Sequence, residues 1–339
     1  MKRTVISILT VLAILTGCTS QGADNPVNII LETDMGNDVD DALALGLAYK
    51  YIEDGKINLL AVCINKEGSA PGEYVDIMNT FYGHPEIPVG IIRKGAYCED
   101  DALNYAKAVV NMRNEDGTLP FRRSVSDYSS LPEATQLYRK ILSGQADKSV
   151  VIVSIGFSTN LINLMASGPD EYSPLTGMQL ISAKVKELVT MAGNFEDSNF
   201  HEYNVWKDIP AAQKLFAEWP TPVTTSPFEV GIKTCYPASS IENDFNWAPL
   251  NPIVEAYKAY KEMPYDRPMW DPTALMFAVE PGNWFNLSEW GRIEVTDQGG
   301  TIFKADPEGD RRYMKIDDAQ AKAIIEHFVE LIPFKPTGR

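Results

Sequence analysis

Residues 28–49 read NIILETDMGNDVDDALALGLAY, and this stretch decides the fold. The run Ile29–Leu31 is short, apolar and rich in β-branched residues, so it predicts a buried strand. Gly36 and Asn37 predict a turn, and the alanine- and leucine-rich run Ala42–Tyr49 predicts a helix. The order strand, loop, helix is typical of a parallel sheet that is covered by helices.

The loop of this stretch is crowded with acidic side chains. Five carboxylates fall within ten residues: Glu32, Asp34, Asp38, Asp40 and Asp41. Asp40 and Asp41, taken alone, would more often cap the helix, where negative charge is favourable. Five acids repel one another far more than capping requires, and a divalent cation would remove that repulsion. Because neither thiol nor imidazole is nearby, an oxygen-binding cation, Ca²⁺ or Mg²⁺, fits best.

The amino terminus has the pattern of a secretory signal. The basic residues Lys2 and Arg3 precede the apolar segment Val5–Leu15, and Leu15–Cys18 then resembles the lipobox of bacterial lipoproteins. Cleavage before Cys18 would expose that cysteine for lipidation, and more than one acyl chain gives stable anchoring. The alternative is an ordinary signal peptide with an incidental cysteine.

This interpretation divides the chain into three parts. Residues 1–17 are the signal peptide, residues 18–26 are a polar tether, and residues 27–339 form a single domain. The predicted location is the bacterial cell envelope, where the protein is lipid-anchored on either the periplasmic or the surface face. No later apolar run is long enough to span a bilayer, so the predicted membrane contact is the lipid anchor only.

The formal net charge of the 339-residue chain is −16. Such a charge argues against nucleic acid as a partner, because phosphate neutralisation needs basic patches. A small substrate, neutral or cation-assisted, suits this charge better. Besides Cys18, the cysteines are Cys63, Cys98 and Cys235, an odd number without paired short spacing, so no disulfide framework is predicted. Cys63 lies in an apolar run and is predicted to belong to the core.

Apolar strands and helical patterns alternate along the chain. Further strands are predicted at Ile57–Ile64, Ile87–Ile92, Ser149–Ser154, Val185–Met191 and Pro222–Thr225, with a hairpin across Asp297–Gly300. Further helices are predicted at Gly72–Tyr82, Pro132–Leu142, Leu161–Ala166, Pro210–Ala217, Pro252–Lys261, Asp271–Val279 and Asp317–Leu331. This alternation predicts an α/β fold, a single domain with an open, mostly parallel central sheet flanked by helices and a Rossmann-like core. Residues 93–131 lose the pattern and are predicted to be a loop region that forms an active-site wall or lid.

Polar residues gather where the apolar strands end. In open α/β sheets, ligands bind outside the carboxyl ends of the strands. The segments that follow Leu31, Ile64, Ser154 and Met191 are polar or rich in glycine. We therefore expect these four strand ends to border one crevice.

Four segments together resemble the nucleoside hydrolases, the inosine- and uridine-preferring ribohydrolases. Asp34–Gly36 with Asp40–Ala42 resembles the family's aspartate signature, with two extra residues before the paired aspartates. Gly156–Asn160 is similar to its Gly–Pro–Leu–Thr–Asn turn, Glu202–Asn204 to its Glu–Phe–Asn ribose motif, and Trp270–Pro272 to its His–Asp–Pro. The segments occur in the family's order and span nearly the whole mature chain.

The resemblance implies a Ca²⁺ cofactor and a role for each matched residue. Asp34 would be the general base and a calcium ligand, and Asp41 would be a ligand through both oxygens. Asp271 would be the distal carboxylate that closes the metal and ribose site. Ile155, where the family usually has threonine, would give its backbone carbonyl as a ligand. The ribose hydroxyls would be held by Asp40, Glu202 and Asn204, with Asn194 or Asn199 assisting and Asn65 as a further contributor.

Several positions depart from the family's pattern. Trp270 replaces a histidine that some members use near the leaving base, which raises the hypothesis that a base stacks on Trp270. Among the histidines, His201 is the candidate for that role, and a surface role is the alternative. Asp38 is an additional acid, either a hydrogen-bond partner behind the ligands or a solvated loop residue. Glu32 stands where the family commonly has aspartate, and the preferred base cannot be carried over.

The function that the resemblance implies is hydrolysis of the N-glycosidic bond of ribonucleosides to ribose and free nucleobase, as in nucleoside salvage. A calcium-bound water, activated by the aspartate base, would attack an oxocarbenium-like sugar. One alternative is a calcium-dependent nucleoside-binding lipoprotein without turnover. Another is a haloacid-dehalogenase-type phosphatase, which needs an aspartate nucleophile where Glu32 stands. The sequence leaves both a homodimer and a homotetramer open.

Overall fold

The computed structural model describes residues 25–95 and 104–337. Its strands are β1 Val27–Thr33, β2 Ile57–Ile64, β3 Val89–Ile91, β4 Val150–Ser154, β5 Val185–Met191, β6 Val223–Ser226, β7 Cys235–Tyr236, β8 Arg267–Pro268, β9 Asn286–Leu287, β10 Gly291–Val295, β11 Thr301–Ala305 and β12 Arg311–Lys315. Its helices are α1 Asp40–Glu53, α2 Ala70–Tyr82, α3 Tyr105–Val110, α4 Ala134–Ser143, α5 Thr159–Ala166, α6 Gly177–Lys184, α7 Tyr203–Trp206, α8 Ile209–Glu218, α9 Phe228–Gly231, α10 Ala238–Asn243, α11 Pro252–Tyr260, α12 Trp270–Val279 and α13 Asp318–Leu331.

Strand β1 is buried on both faces of the sheet, which is why its sequence is apolar without alternation. Ile29 and Leu31 belong to the apolar layer on one side and Ile30 to the layer on the other, because successive side chains alternate across a strand. The first layer includes α1, α2, α11, α12 and α13, and the second includes α4, α5, α6 and α8. Helices therefore cover both faces of the sheet, and the predicted fold class is confirmed.

Among the described residues, ten strands form the main sheet, in the order β11, β10, β12, β6, β5, β4, β1, β2, β3, with β9 beside β12. All neighbours from β12 through β6 to β3 are parallel. The antiparallel pairs are β10 with β11, β10 with β12, and β9 with β12. The sheet is therefore mostly parallel, and its antiparallel part is confined to one end.

The order of the strands reverses at β1. The chain adds β2 and β3 on one side of β1 and then β4, β5 and β6 on the other, so the boundary between β1 and β4 is a topological switch point. Leu31 of β1 lies beside Val62 of β2 and Val153 of β4. The segments that follow these strands consequently emerge side by side at one edge of the sheet, where ligands bind in folds of this kind.

Helix α1 carries its acidic residues where the helix dipole favours them. Asp40 and Asp41 lie in its first turn and Lys50 lies in its last turn. Eleven of its 14 residues are buried, and a helix buried on nearly all sides must be apolar on nearly all sides. A Cβ on Gly46 would lie 2.8 Å from Cδ1 of Ile253, so this glycine allows α11 to pack closely.

The region 93–131 is more ordered than its sequence predicts. Helix α3 lies within it, and the loop prediction is wrong there because six residues are too few to display a helical period. The buried Asp76 of α2 fixes residues 124–128, which follow α3 in the chain. Its carboxylate accepts hydrogen bonds from the backbone N–H groups of Ser124 and Val125 and from the Tyr128 hydroxyl. Residues 96–103 lie outside the described part of the chain.

Several predictions for the amino terminus concern undescribed residues. The signal peptide, residues 1–17, and the lipidation site Cys18 lie outside the described residues, and so does Cys98. No helix within the described ranges is long and apolar enough to cross a membrane. Cys63 is fully buried, which confirms its place in the core, and Cys63 and Cys235 are free cysteines.

Candidate active site

A cavity of about 530 Å³, counted to its open mouth, lies at the carboxyl ends of β1, β4 and β5. Asp34, Ile155 and Met191 bring the three strand ends to this cavity, as expected. Asn65, which follows β2, is not among the described residues that line it. Three of the four predicted strand ends therefore border one crevice.

The lining combines aromatic rings with carboxylates. Its aromatic members are Phe200, Tyr203, Phe228 and Trp270, and its acidic members are Asp34, Asp38, Asp40, Glu202 and Asp271. The Phe228 ring lies 4.3 Å from the Phe200 ring and 5.4 Å from the Trp270 ring, centroid to centroid. Such a lining can contact a flat apolar ring and also accept hydrogen bonds from hydroxyl groups.

Asp34 follows β1 directly and is 4% exposed. The Asn37 side-chain amide donates a hydrogen bond to Asp34 Oδ2, and Lys66 Nζ donates one to Asn37 Oδ1 at 2.7 Å. Burial raises the pKa of Asp34 to about 7, although the Asn37 hydrogen bond and the Lys66 charge lower it. A carboxyl group with such a pKa is suited to take up a proton near neutral pH.

Asp41, at the start of α1, is 1% exposed. The Thr33 hydroxyl donates a hydrogen bond to its Oδ1. Its Oδ2 is buried and has no hydrogen-bond partner among the described residues. Burial, and then the charges of Asp34 and Asp40, raise the pKa of Asp41 well above its usual value. Since buried polar atoms are almost always paired, the unpaired Oδ2 of Asp41 is a candidate to bind a ligand.

Asp271 reaches the cavity from a distant part of the chain, in the first turn of α12. It is 4% exposed. Burial raises its pKa well above the usual value, and the charges of Asp40, Asp41 and Asp34 raise the pKa further. The Asp271 backbone N–H donates to Asp40 Oδ2 at 3.2 Å, so the acidic loop and α12 are close, as the sequence predicted.

The backbone after β4 approaches Asp34 closely. The Ile155 carbonyl accepts a long hydrogen bond, 3.5 Å, from the side-chain amide of Asn204. A Cβ on the next residue, Gly156, would lie 2.7 Å from the Asp34 backbone nitrogen and 2.6 Å from Asn65 Oδ1. Glycine is therefore needed at 156, because any larger residue would push the β1 and β4 ends apart.

Asp40 is enclosed by an ion pair and by the start of α12. Arg267 donates from Nε and Nη2 to Asp40 Oδ1, at 3.0 and 2.7 Å. The backbone N–H groups of Trp270 and Asp271 donate to Oδ2, at 3.0 and 3.2 Å. Asp40 is 0% exposed. Its carboxylate therefore joins the start of α1 to the start of α12, with an arginine that sequence reasoning had not singled out.

The segment from Glu202 to Asn204 ties a loop to the strand ends. The Glu202 carboxylate accepts hydrogen bonds from the backbone N–H groups of Gly193, Asn204 and Val205. The Asn204 side-chain amide donates to the Met191 carbonyl at 3.2 Å. Burial raises the pKa of Glu202 to about 7. Both predicted residues line the cavity, with much of their hydrogen-bonding capacity used within the protein.

Asn194 and Asn199 are placed differently. Asn194 Oδ1 accepts hydrogen bonds from the backbone N–H groups of Glu196 and Asp197, which shapes the loop. Asn199 is exposed on the same loop. Neither is among the described residues that line the cavity, so their assistance in ribose binding stays a prediction.

Trp270 lines the cavity with its ring held by neighbours. Its indole N–H donates to the Phe228 carbonyl at 2.9 Å, and the Phe228 ring stacks on it. The Arg267 guanidinium lies 5.0 Å from the centroid of the same ring. Because two groups already contact the Trp270 ring, the aromatic surface open to a base is shared with Phe228 and Phe200.

Of the three histidines, all of them within the described residues, His201 lines the cavity. His84 Nδ1 lies 3.6 Å from a Glu86 oxygen, and His327 Nε2 lies 2.9 Å from a Glu280 oxygen. His201 is therefore the histidine that the fold brings to the cavity, and it is exposed there.

Comparison with known protein families identifies the family of this chain. The sequence profile of the family described as inosine-uridine preferring nucleoside hydrolase matches residues 29–326. The chain belongs to the nucleoside hydrolase family. A comparison of this nucleoside hydrolase with curated protein sequences finds no match. Family membership supports ribonucleoside hydrolysis in general.

Solved structures agree with this assignment. A plant nucleoside hydrolase is 18% identical, with a TM-score of 0.66 over 90% of this chain and 99% of that one. The purine-preferring ribonucleoside hydrolase from Gardnerella vaginalis is 16% identical, with a TM-score of 0.67, and the inosine-uridine preferring nucleoside hydrolase from Bacillus anthracis is 16% identical, with a TM-score of 0.63; each comparison covers 90% of this chain and 99% of the other. At such identities the similarity establishes the nucleoside hydrolase fold alone.

Nucleoside hydrolases generally use a metal ion. Within the described ranges, no three His, Cys, Asp or Glu side chains stand in an arrangement that could hold one. The donor set nevertheless fits a hard cation, because Asp34, Asp41 and Asp271 are carboxylates, Ile155 offers a carbonyl oxygen, and Asp41 Oδ2 lacks a hydrogen-bond partner in the described structure. Repulsion among the carboxylates opposes their closer approach, and a divalent cation would offset it.

The alternative of a haloacid-dehalogenase-type phosphatase is wrong, because the chain belongs to the nucleoside hydrolase family. Glu32, which stands at the position of the required nucleophile, is 0% exposed. The Tyr138 hydroxyl donates to it at 2.6 Å and the Asn65 amide at 3.2 Å. Burial raises the pKa of Glu32 to about 7. Glu32 therefore supports the end of β1 from within the core, and it is not among the described residues that line the cavity.

Proposed function

We propose that this chain hydrolyses the N-glycosidic bond of ribonucleosides to ribose and free nucleobase. The observation that carries the proposal is that Asp34, Asp271 and Ile155 line one cavity in a member of the nucleoside hydrolase family, with the buried Asp41 close enough for its charge to act on Asp271. Cleavage of this bond passes through an oxocarbenium-like sugar. Negative groups fixed in a buried site stabilise the positive charge that develops on that sugar.

Asp34 is the general base of the proposed reaction. A water molecule attacks the anomeric carbon, the bond from that carbon to the base nitrogen breaks, and Asp34 takes a proton from the water. The leaving base keeps the bonding electron pair and is neutralised by a proton, for which His201 and solvent are the sources at the cavity. Phe200, Phe228 and Trp270 provide the aromatic surface for the base.

The proposed metal ligands are Asp34, Asp41, Asp271 and the Ile155 carbonyl, with Ca²⁺ as the cation. All four offer oxygen, which Ca²⁺ prefers. When bound, Ca²⁺ supplies a positive charge that favours ionisation of water and binding of the sugar hydroxyls. The residues of the chain orient the substrate around it: Glu202 and Asn204, each fixed by hydrogen bonds within the protein, line the cavity beside the Ile155 carbonyl.

Purified protein is expected to release reducing sugar from ribonucleosides in the presence of Ca²⁺ and to lose this activity when a chelator removes the cation. Inosine, guanosine, uridine and cytidine are all assayed, because solved relatives carry both purine-preferring and inosine-uridine preferring names. Re-addition of Ca²⁺ should restore the rate. Re-addition of Mg²⁺, which demands shorter and stricter octahedral coordination, is the matched control and should restore less.

The contrary result is calcium-dependent nucleoside binding, measured by calorimetry, without sugar release from any ribonucleoside. That outcome would favour the alternative of a nucleoside-binding lipoprotein without turnover. Binding and turnover that are both insensitive to the chelator would instead contradict the calcium ligands named above.

We also propose that the mature protein is lipid-anchored in the bacterial cell envelope through Cys18. The full chain, expressed with its own leader in a bacterium, is expected in the membrane fraction and should incorporate a fatty-acid label. Cys18→Ala should remove both properties, because no acyl chain can then be attached. Equal fractionation of the two proteins would contradict the anchor. The homodimer and the homotetramer stay predictions.

A further inference from the structure

Asp38, two residues before α1, and Asp40, the first residue of α1, have opposite surroundings. Asp40 is 0% exposed and its oxygens accept four hydrogen bonds, two from Arg267 and one each from the Trp270 and Asp271 backbone N–H groups. An ionised carboxylate offers about four lone-pair sites in total. Asp40 therefore has no acceptor site left for a substrate hydroxyl.

Asp38 lines the cavity, and 46% of its side chain is exposed. The Tyr260 hydroxyl donates to Asp38 Oδ1 at 2.8 Å, and Arg267 Nη2 lies 2.9 Å from Asp38 Oδ2. These contacts use two of the roughly four lone-pair sites. They also fix the carboxylate in one position, so Asp38 is neither a residue hidden behind the ligands nor a freely solvated one.

The charge of this group selects the kind of ligand. Arg267 pairs with both Asp38 and Asp40 and lies against the rings of Tyr260 and Trp270, 5.1 and 5.0 Å from their centroids. One guanidinium and two carboxylates leave a net charge of about −1, which attracts hydroxyl donors and repels phosphate groups. An uncharged sugar diol therefore fits Asp38, whereas a phosphate group does not.

We propose that Asp38 accepts the hydrogen bonds of the sugar hydroxyls and that Asp40 is a positioning residue that holds Asp271 in place. This inference rests on the proposed function and names the residue that recognises the sugar. It replaces the sequence-based assignment of the ribose hydroxyls to Asp40. Asp38 belongs to the extra residues of the aspartate signature, so the insertion supplies the contact.

Asp38→Asn, which keeps the size of the side chain and removes its charge, tests the proposal. For each protein, the kcat/KM of a ribonucleoside is divided by the kcat/KM of its 2′-deoxy analogue, and separately by that of its 3′-deoxy analogue. The ratios of the variant are then compared with those of the wild type, so that the intrinsic lability of each sugar cancels. At least one ratio should fall roughly 10- to 100-fold, the contribution of a hydrogen bond to a charged acceptor. Asp40→Asn should lower kcat and leave both ratios as in wild type.

Two results would overturn the proposal: ratios that fall in Asp40→Asn but not in Asp38→Asn, and ratios unchanged in both variants. Asp147→Asn is the matched control, since its side chain is 77% exposed at the opposite end of β4, and it should behave as wild type. Thermal unfolding checks that each variant folds. If Asp38→Asn does not fold, Tyr260→Phe removes one donor to Asp38 and should reduce a ratio by a few-fold, about the contribution of one hydrogen bond.

Measurements on the wild type distinguish a failure of the proposed function from a failure of the proposed role of Asp38. If wild-type protein splits no ribonucleoside, the same ratios are taken from calorimetric Kd values of the ribonucleoside and its deoxy analogues. A fall of a ratio in Asp38→Asn then supports sugar recognition by Asp38 without turnover, and no fall overturns it. A wild type that neither splits nor binds any nucleoside overturns both proposals.

Discussion

Asp34→Asn is expected to lower kcat for ribonucleoside hydrolysis by about 10²- to 10⁴-fold, the usual contribution of a general base. Asparagine has the same shape and can still accept the hydrogen bond from Asn37, but it cannot take a proton from water. The measurement is the initial rate of ribose release at saturating nucleoside and Ca²⁺. Asp147→Asn, the same chemical change at an exposed position, should leave kcat unchanged.

The stability of Asp34→Asn separates a catalytic loss from a folding defect. Burial raises the pKa of Asp34 from 3.8 to about 7, so the folded state binds more protons than the unfolded chain in that interval and stability falls as the pH rises through it. A neutral asparagine avoids this loss. Without cation at pH 8, the variant should therefore unfold at the same temperature as the wild type or a higher one.

Added Ca²⁺ should reverse that order. A ligand that binds only the folded state stabilises it, by about 2.7 kcal/mol at 100 times its Kd. The wild type should gain this stabilisation and Asp34→Asn should gain much less, because one proposed ligand has lost its charge. Equal rates of hydrolysis in the two proteins would contradict the role of Asp34 as the base. Equal Ca²⁺-induced shifts in Tm would contradict its role as a calcium ligand.

The strands that the sequence predicts best are those with abrupt ends. Ile57–Ile64 and Val185–Met191 begin and end at the predicted residues, since Asn65 follows the first strand and the glycine-containing segment 192–194 follows the second. Strand Arg311–Lys315 was missed because two adjacent arginines argue for an exposed loop. In the fold, Arg311 is 3% exposed and its guanidinium donates to the Trp219 carbonyl at 2.7 Å. That partner is distant in sequence, so no local pattern reveals it.

The acidic loop could be predicted as a site, whereas its basic partners could not. The sequence predicted that a divalent cation offsets the repulsion among the five carboxylates, with Asp34 and Asp41 as its ligands in this loop. The structure adds two buried cations from the chain itself: Lys66, bonded to Asn37 beside Asp34, and Arg267, paired with Asp40. Each is a single basic residue in a stretch of ordinary composition, so its spacing carries no signal. The excess of acid was the only hint, because buried charges need partners.

Arg267→Met is expected to lower the free energy of unfolding by about 3–5 kcal/mol, the cost of removing one partner from a buried ion pair. Methionine retains a long apolar side chain for the contacts with Tyr260 and Trp270, but Asp40 is left buried without its counter-charge. Urea denaturation measures the loss. The kcat should fall as well, since Asp40 then no longer fixes the helix start that carries Asp271.

The double variant Arg267→Met/Asp40→Asn identifies the cause of that loss. A neutral asparagine needs no counter-charge, so the double variant should recover part of the lost stability, with a coupling energy of about 0.5–3 kcal/mol. Acid should have a similar effect on the single variant. Burial raises the pKa of Asp40 and Arg267 lowers it, so without Arg267 the pKa rises further, and the penalty shrinks as falling pH protonates Asp40.

Arg292→Met is the matched control for the ion pair. Arg292 is bonded to Asp306 at 2.6 Å, but its side chain is 62% exposed, and exposed pairs contribute only about 0–1 kcal/mol. If Arg267→Met costs no more than Arg292→Met, the charge of Asp40 does not depend on Arg267, and the junction of α1 with α12 is not what holds Asp271. If it costs several kcal/mol more and Asp40→Asn restores stability, the chain itself keeps Asp40 occupied, as the assignment of the sugar hydroxyls to Asp38 requires.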